Sequence, residues 1–193
     1  MEDHDLDLLD DGILRQISYE ENLNEEYMLK AHEFFDSMLT DRDEVYELLD
    51  SVKTCKNEEY EYNDNISINN NELKSFLSQH SITANQFFCS AFAYTLSRFA
   101  GSSKILFNII DNGRGHFDLS KSIGMFAQTL PLLIDCNNQN ISSFLDYTSN
   151  LIKTTIKYDL YPFHILAKEY EIKSNIIFQY SHDLFNSLIK YEN

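Results

Sequence analysis

The sequence predicts an α/β fold, because short apolar runs of strand length alternate with segments in which apolar residues recur at helical spacing. The clearest strand is KILFNII, Lys104–Ile110, which is rich in β-branched residues and bounded by turn-forming residues. Apolar residues make up 43% of the 193-residue chain and aromatic residues 13%, so one domain can bury a substantial core. General disorder is therefore disfavoured.

The N-terminal part of the chain contains one predicted helix. Residues 1–22 carry charge with short apolar clusters and no sustained period, which is typical of a linker or an edge segment. From Asn24, which can cap a helix, the apolar residues Met28, Ala31 and Phe35 recur at helical spacing. A helix is expected to begin there.

Charge divides the chain near a polar, asparagine-rich loop at residues 51–70. The net charge is −16, and residues 1–64 hold 21 of the 31 acidic and 5 of the 15 basic residues. We therefore expect an acidic lead-in segment with one helix at residues 1–64 and an electrically neutral body at residues 65–193. The absence of a basic face disfavours nucleic acid and an anionic membrane surface as partners.

Two helices are predicted at the start of the body. Asn71–Gln79 forms a short one. Thr83 followed by Gln86 is a capping box, in which each side chain satisfies a backbone N–H at the beginning of the next helix. That helix is apolar nearly all round and is expected to be deeply buried. Arg98 suits its last turn, and Gly101 is placed to terminate it.

The remaining elements continue the alternation. Strands are predicted at Lys104–Ile110, at about Phe126–Ile134 and at Asn175–Ser181. Pro131 indicates a bulge or an edge position for the second strand. Helical spacing recurs between Ile141 and Tyr158, and Pro162 suits the first position of a last helix. Lys104–Ile110 is expected to be central.

The sequence contains no motif for a metal site, a serine nucleophile or a phosphate-binding loop. The six histidines are scattered without metal-ligand spacing, and neither a GxSxG elbow nor a phosphate-binding glycine loop is present. The cysteines Cys55, Cys89 and Cys136 are unpatterned, which is typical of reduced thiols in a cytosolic protein. There is no positively charged start before an apolar run and no apolar stretch of ~18 residues, so neither a signal peptide nor a membrane span is predicted.

One loop stands out as a candidate site. The segment after the first strand, Asn112–Gly115, places glycine on both sides of Arg114, which frees the backbone to aim the guanidinium. Such an arginine either clamps a carboxylate inside the protein or holds a polar ligand. His116 follows it at a strand end, where α/β proteins tend to place sites.

Three motifs in order resemble the condensation domains of nonribosomal peptide synthetases, relatives of chloramphenicol acetyltransferase. SIGMFAQTLPL, Ser122–Leu132, resembles the family's glycine-x-phenylalanine-valine-asparagine-threonine motif, and YDLYPFHIL, Tyr158–Leu166, resembles its Asp-Tyr-Pro-Phe-Glu motif. KSNIIFQY, Lys173–Tyr180, resembles its Ser-Arg-Asn-Pro-Leu-Phe strand. More weakly, the segment around Phe35 resembles the one that leads out of the family's first half, with phenylalanine where tryptophan is usual.

The resemblance implies one acetyltransferase-like lobe, a mixed sheet flanked by helices, that forms one wall of a substrate tunnel between two lobes. The implied tunnel and lobe-interface residues are Asn112, Gly113, Arg114, Gly124, Phe126, Gln128 and Thr129. No cofactor is expected to bind directly. The phosphopantetheine arm of a partner carrier protein would pass the glycine-lined wall, and the parent enzyme would join carrier-bound acyl and aminoacyl thioesters by forming an amide bond.

Departures from the family pattern leave alternatives open. The catalytic signature HHxxxDG is absent, so no catalytic residue is assigned, and by segment order the signature is expected upstream of Met1. Gln128 replaces the usual asparagine and His164 the usual glutamate. The chain is therefore expected to be an inactive C-terminal lobe. The alternatives are a degenerate lobe that docks carrier proteins or domains, or a lobe of a related acyltransferase, epimerisation or ester-forming domain.

The expected partners follow from the same resemblance. They are carrier-protein domains, which should contact the neutral body because a carrier of acidic type would be repelled by the acidic segment. The missing N-terminal lobe is a second partner. A homodimer through the exposed lobe interface near Arg114 and Phe126 is a third expectation, since an isolated lobe leaves an apolar face uncovered.

Overall fold

The computed structural model describes residues 11–40, 61–64, 66–115, 119, 122–137, 140–173 and 176–181. The helices in these residues are α1 (Gly12–Glu21), α2 (Glu25–Leu39), α3 (Asn70–His80), α4 (Ala84–Ala100), α5 (Ile141–Lys157) and α6 (Phe163–Glu169). The strands are β1 (Lys104–Asp111), β2 (Gln128–Asp135) and β3 (Ile177–Phe178). None of the helices in these ranges is long and apolar enough to cross a membrane.

The strands form one mixed sheet in the order β2-β1-β3. Strand β1 pairs antiparallel with β2 and parallel with β3, so the prediction that it is central is confirmed. The third strand was predicted over Asn175–Ser181, but the structure shows only the two residues Ile177 and Phe178 in regular pairing.

Pro131 lies in the interior of β2, opposite Asn108 of β1. The backbone N–H of Asn108 donates to the carbonyl of Ile176 on the β3 side. Asn108 and Pro131 are therefore a pair without hydrogen bonds to each other, and in such an antiparallel pair the nitrogen of Pro131 points away from β1, toward the outer edge of the sheet. Proline lacks an N–H, so it is tolerated at this edge position, as the sequence predicted.

Helices cover both faces of the sheet. On one face Phe107 and Leu132 are fully buried against Ala93 of α4 and Ile152 of α5. On the other face, neighbouring residues of the same two strands pack against α2 and α6. The buried members of this second cluster are Ala31, Phe35, Leu39, Leu106, Leu133, Tyr158, Tyr161 and Leu166. The α/β lobe with a mixed sheet between helices is therefore as predicted.

Helix α2 lies within the acidic segment, yet it is joined firmly to the body. The Tyr27 hydroxyl accepts a hydrogen bond from the backbone N–H of Leu160 at 3.3 Å, and Tyr170 donates to a carboxylate oxygen of Asp36 at 2.8 Å. Because this bond favours the ionised carboxylate, the pKa of Asp36 is lowered. The proposed division at residue 64 therefore separates charge but not core packing.

The structure corrects three local predictions. Residues 12–21 form helix α1, whereas a linker or edge segment was predicted across residues 1–22, so the described part of the acidic segment holds two helices. Helix α4 is not buried all round: Phe99 is 78% exposed, and its buried face carries small and polar residues such as Cys89 and Ser97. Pro162 is the N-cap of α6, one position before the one predicted.

Candidate functional site

A cleft of about 460 Å³ opens where the parallel strands β1 and β3 end. Its lining residues are Asn85, Ile110, Asp111, Asn112, Arg114, Gly124, Met125, Phe126, Ala127, Gln179, Tyr180 and Ser181. The carboxyl ends of parallel strands are where α/β proteins commonly bind ligands. Asn112, Arg114, Gly124 and Phe126, four of the residues implied by the family resemblance, meet in this cleft.

The loop after β1 is held by short-range hydrogen bonds to its own backbone. The N–H of Gly113 donates to a carboxylate oxygen of Asp111 at 2.8 Å, and the N–H of Arg114 donates to the Asn112 side-chain oxygen at 2.9 Å. Side chains of this type stabilise turns by bonding to the backbone two residues on. The turn directs the Arg114 side chain across the cleft wall.

The Arg114 guanidinium binds the segment that returns toward β2. It donates to the backbone carbonyls of Leu119, Ser122 (3.1 Å) and Gly124 (3.4 Å). Its central carbon lies 4.4 Å from the centroid of the Phe126 ring, which gives a cation–π contact. The sequence left open a carboxylate clamp or a ligand-binding arginine; in the described structure the partners are backbone carbonyls, so Arg114 organises the wall.

Only one of the two glycines beside Arg114 has a conformational need to be glycine. Gly113 has a φ of +64°, and a Cβ there would lie 1.7 Å from the carbonyl oxygen of Phe126. Gly115 has no positive φ, and a Cβ added to it would meet nothing within 4 Å. The prediction that both glycines free the backbone therefore holds for Gly113 alone.

Gly124 allows a close contact within the protein. A Cβ at this position would lie 2.7 Å from Cδ1 of Ile13 and 3.2 Å from Cε2 of Phe126. The first turn of α1 thus packs directly against the segment that carries Gly124. This contact was missed because residues 1–22 were interpreted as a linker or an edge segment.

The other implied residues lie beside the cleft. Gln128 and Thr129 begin β2, opposite Asp111 and Ile110, and neither lines the cleft. Sequence reasoning missed Asn85, in the first turn of α4, and Tyr180, whose ring stacks on Phe88 with centroids 5.8 Å apart. The sequence did not show that the third strand runs parallel to β1. Because it does, the residues after β3 lie at the same edge of the sheet as the loop after β1.

The described side chains of the cleft are suited to positioning a ligand. Its lining side chains combine apolar groups with amides and hydroxyls, and the charged ones are Asp111 and Arg114. No cluster of three metal-binding side chains occurs in the described ranges. His116 and His182 lie outside the described residues. The cleft can therefore align a polar, extended ligand, and the Asp111 carboxylate in its lining accepts a hydrogen bond from the backbone N–H of Gly113.

A family model for the condensation domain matches residues 17–193. The chain belongs to the condensation domain family. The match covers nearly the whole chain and confirms the resemblance carried by the three sequence motifs. No curated protein matches this condensation-domain chain significantly in sequence.

Solved structures show the same fold. The first condensation domain of the calcium-dependent antibiotic synthetase, in complex with substrate analogue 2a, matches with a TM-score of 0.62 at 13% identity, covering 86% of this chain and 38% of that one. The condensation domain from the monacolin K polyketide synthase MokA matches with a TM-score of 0.60 at 19% identity, covering 90% and 42%. Holo-AB3403, a four-domain nonribosomal peptide synthetase bound to AMP and glycine, matches with a TM-score of 0.53 at 16% identity, covering 57% and 9%.

The coverage is unequal on the two sides of each match. This condensation-domain chain spans about two-fifths of the first two structures, at 38% and 42% of their lengths. The structural similarity, with TM-scores of 0.60 and above at these low identities, shows the fold, and the predicted acetyltransferase-like α/β lobe is confirmed.

Proposed function

We propose that the chain is the C-terminal lobe of a condensation domain whose parent protein joins carrier-bound acyl and aminoacyl thioesters through an amide bond. The observation that supports this is the convergence of Asn112, Arg114, Gly124 and Phe126 in one cleft at the end of β1. Gly124 and Phe126 were named from the motif at Ser122–Leu132, and Asn112 and Arg114 from the loop that precedes it.

The composition of the cleft suits a phosphopantetheine arm, which carries the acyl group as a thioester. An arm of this kind contains amides and a short alkyl chain. The lining offers amide and hydroxyl groups from Asn85, Gln179 and Ser181 beside the apolar surfaces of Ile110 and Phe126. These groups would orient the arm, and Arg114 would hold the wall through its carbonyl contacts.

In the proposed reaction the amine nitrogen of the acceptor attacks the thioester carbonyl carbon. A C–N bond forms, the C–S bond breaks, and the sulfur leaves as a thiol with the proton that the amine releases. Alignment of amine and thioester supplies much of the rate acceleration. The base that takes the proton would come from the complementary lobe, because HHxxxDG does not occur in this sequence.

A second candidate is a non-catalytic lobe that docks carrier proteins or other domains. The missing HHxxxDG favours it. The two substitutions within the motifs add little, because Gln128 does not line the cleft and His164 is exposed on α6. A parent protein that catalyses epimerisation, ester formation or another acyl transfer is a variant of the first proposal. The residues that distinguish these activities are expected mainly in the N-terminal lobe.

We propose a cytoplasmic location and three partners: carrier-protein domains, the complementary N-terminal lobe and, when neither is present, a second copy of the chain. The surface that supports the proposed partners lies at the mouth of the cleft. Ile123 is 85% and Met125 94% exposed there, beside the Gly124 backbone. Exposed apolar groups at one edge of a site are typical of a surface that another protein covers.

Binding of an arm analogue tests the cleft. The probe is a pantetheine amide that carries an octanoyl group, titrated into the chain and followed by backbone NMR shifts. Saturable shifts of residues around the cleft are expected. Ala127→Trp, which fills the cleft at an exposed position, should remove them, whereas Ala91→Trp on α4 should not. Shifts that are absent, or unaffected by Ala127→Trp, would argue against a tunnel wall.

Reconstitution separates the two candidate functions. The chain is mixed with a condensation-domain N-terminal lobe that contains HHxxxDG, together with acyl- and aminoacyl-loaded carrier proteins, and the amide product is measured by mass spectrometry. Product that requires both lobes supports the enzyme. Carrier binding to a correctly assembled pair of lobes without product supports the docking module.

A further inference from the structure

A second cavity shares no lining residue with the cleft described above. It is a groove of about 600 Å³ between α4 and α5. The lining residues are Phe87, Ser90, Ala91, Tyr94, Arg98, Cys136, Asn140, Ile141, Phe144 and Leu145. None of them lines the cleft at the end of β1, and the volume is in the range of small-molecule sites.

The walls of the groove are aromatic and its floor is apolar. Tyr94 of α4 and Phe144 of α5 face each other edge to face, with ring centroids 6.3 Å apart. Leu145 is 4% exposed and closes the floor. The Ser90 hydroxyl is already bonded to the carbonyl of Gln86 and to the hydroxyl of Thr148, so it presents no unmet polar group to a ligand. The two rings contact each other, so an apolar ligand segment would lie along this ring pair and over Leu145.

Arg98 is the one charged residue among the described side chains that line the groove. Its guanidinium carbon lies 4.8 Å from the centroid of the Tyr94 ring at the edge of the groove. The ion pairs in the described residues do not involve Arg98. The carboxylate of Asp135, the residue before Cys136 of the groove, accepts a hydrogen bond from the backbone N–H of Asn137 at 2.9 Å. An arginine keeps its charge at every accessible pH and matches a carboxylate with a two-pronged hydrogen bond.

We propose that this groove binds an amphipathic carboxylate, with the apolar part against the ring pair of Tyr94 and Phe144 and the carboxylate on Arg98. The net charge of −16 makes non-specific attraction of an anion to this chain unfavourable, so selectivity for a carboxylate has to come from a local cation. The proposal does not depend on the function assigned to the cleft.

Matched ligands and variants test the proposal on the full chain. Octanoate and its neutral counterpart 1-octanol are titrated separately by calorimetry. We expect octanoate to bind about tenfold more tightly than 1-octanol, as a charge-assisted hydrogen bond predicts. Arg98→Gln should remove that difference, and Lys153→Gln, which makes the same charge change at an exposed position of α5, should keep it.

Ala91→Trp locates the ligand, because it fills the groove from an exposed position and should abolish binding of both compounds. NMR contacts between the octanoate methyl group and the Tyr94 and Phe144 rings check the wild-type chain directly, should that variant fold poorly. Equal affinity for the two ligands, absence of these contacts, or binding that survives Ala91→Trp overturns the proposal. The proposal is also overturned if the chain self-associates, octanoate does not relieve the self-association and Ala91→Trp abolishes it. A second copy of the chain would then occupy the groove.

Discussion

The guanidinium of Arg114 lies between the face of the Phe126 ring, 4.4 Å from its centroid, and the backbone carbonyls of Ser122 and Gly124. One side chain therefore ties the loop after β1 to the segment that leads into β2. The cleft wall is built on this contact, and the first two predictions test it.

Gly113→Ala should destabilise the fold strongly. The backbone has a φ of +64°, and the new Cβ would lie 1.7 Å from the Phe126 carbonyl oxygen, so the loop must move. A loss of about 2–4 kcal/mol in the free energy of unfolding is expected from strain and overpacking. Urea denaturation measures it. Gly115→Ala is the control, and it should change stability by less than about 0.5 kcal/mol; equal effects of the two variants would contradict the geometry.

Arg114→Lys should weaken the cleft wall although the charge is retained. A lysine cannot reproduce the planar fork that reaches several carbonyls and covers the Phe126 ring. The free energy of unfolding should fall by about 1–2 kcal/mol, measured by urea denaturation. Arg98→Lys is the matched control, because Arg98 makes the same kind of ring contact, with Tyr94, without the carbonyl contacts that Arg114 makes to Ser122 and Gly124. A larger loss in the control than in Arg114→Lys would show that the carbonyl contacts contribute little.

Phe35→Ala should show that the acidic segment shares the core of the body. Phe35 is fully buried between Tyr161 and the sheet, and a cavity in its place should cost about 3–5 kcal/mol of unfolding free energy. Leu29→Ala on the same helix, where the side chain is 59% exposed, should cost far less. Thermal unfolding followed by circular dichroism measures both. Similar melting temperatures for the two variants would mean that α2 is not part of the core.

Cys89 should make stability fall at alkaline pH. Burial raises the pKa of the Cys89 thiol to about 12, above its ordinary value near 9 in an unfolded chain. Above pH 9 the native state therefore holds a proton that the unfolded state has lost, so this contribution is present below pH 9 and declines as pH rises toward 12. Between pH 8 and pH 10 the loss should be about 1 kcal/mol. The wild-type free energy of unfolding, compared with that of Cys89→Ala, measures it; identical pH slopes would rule out the contribution.

The sequence determined the helices and strands with strong local signals. The capping box of Thr83 and Gln86 forms as predicted, with bonds of 3.2 and 2.9 Å, and α4 ends at Gly101 in the left-handed region. The edge position of Pro131 was also correct. These features depend on neighbouring residues, whose chemistry can be read along the chain.

Contacts between distant segments were decided only by the tertiary structure. The sequence could not show that Ile13 would fill the space beside Gly124, or that Arg114 would bind carbonyls rather than a carboxylate. It also gave no sign that the buried positions of α4 would be small and polar residues, with the aromatic residues of this helix only partly buried or exposed. The physical reason is that periodicity tells which residues can be buried, whereas the partner that buries each one is fixed by the packing of all elements together.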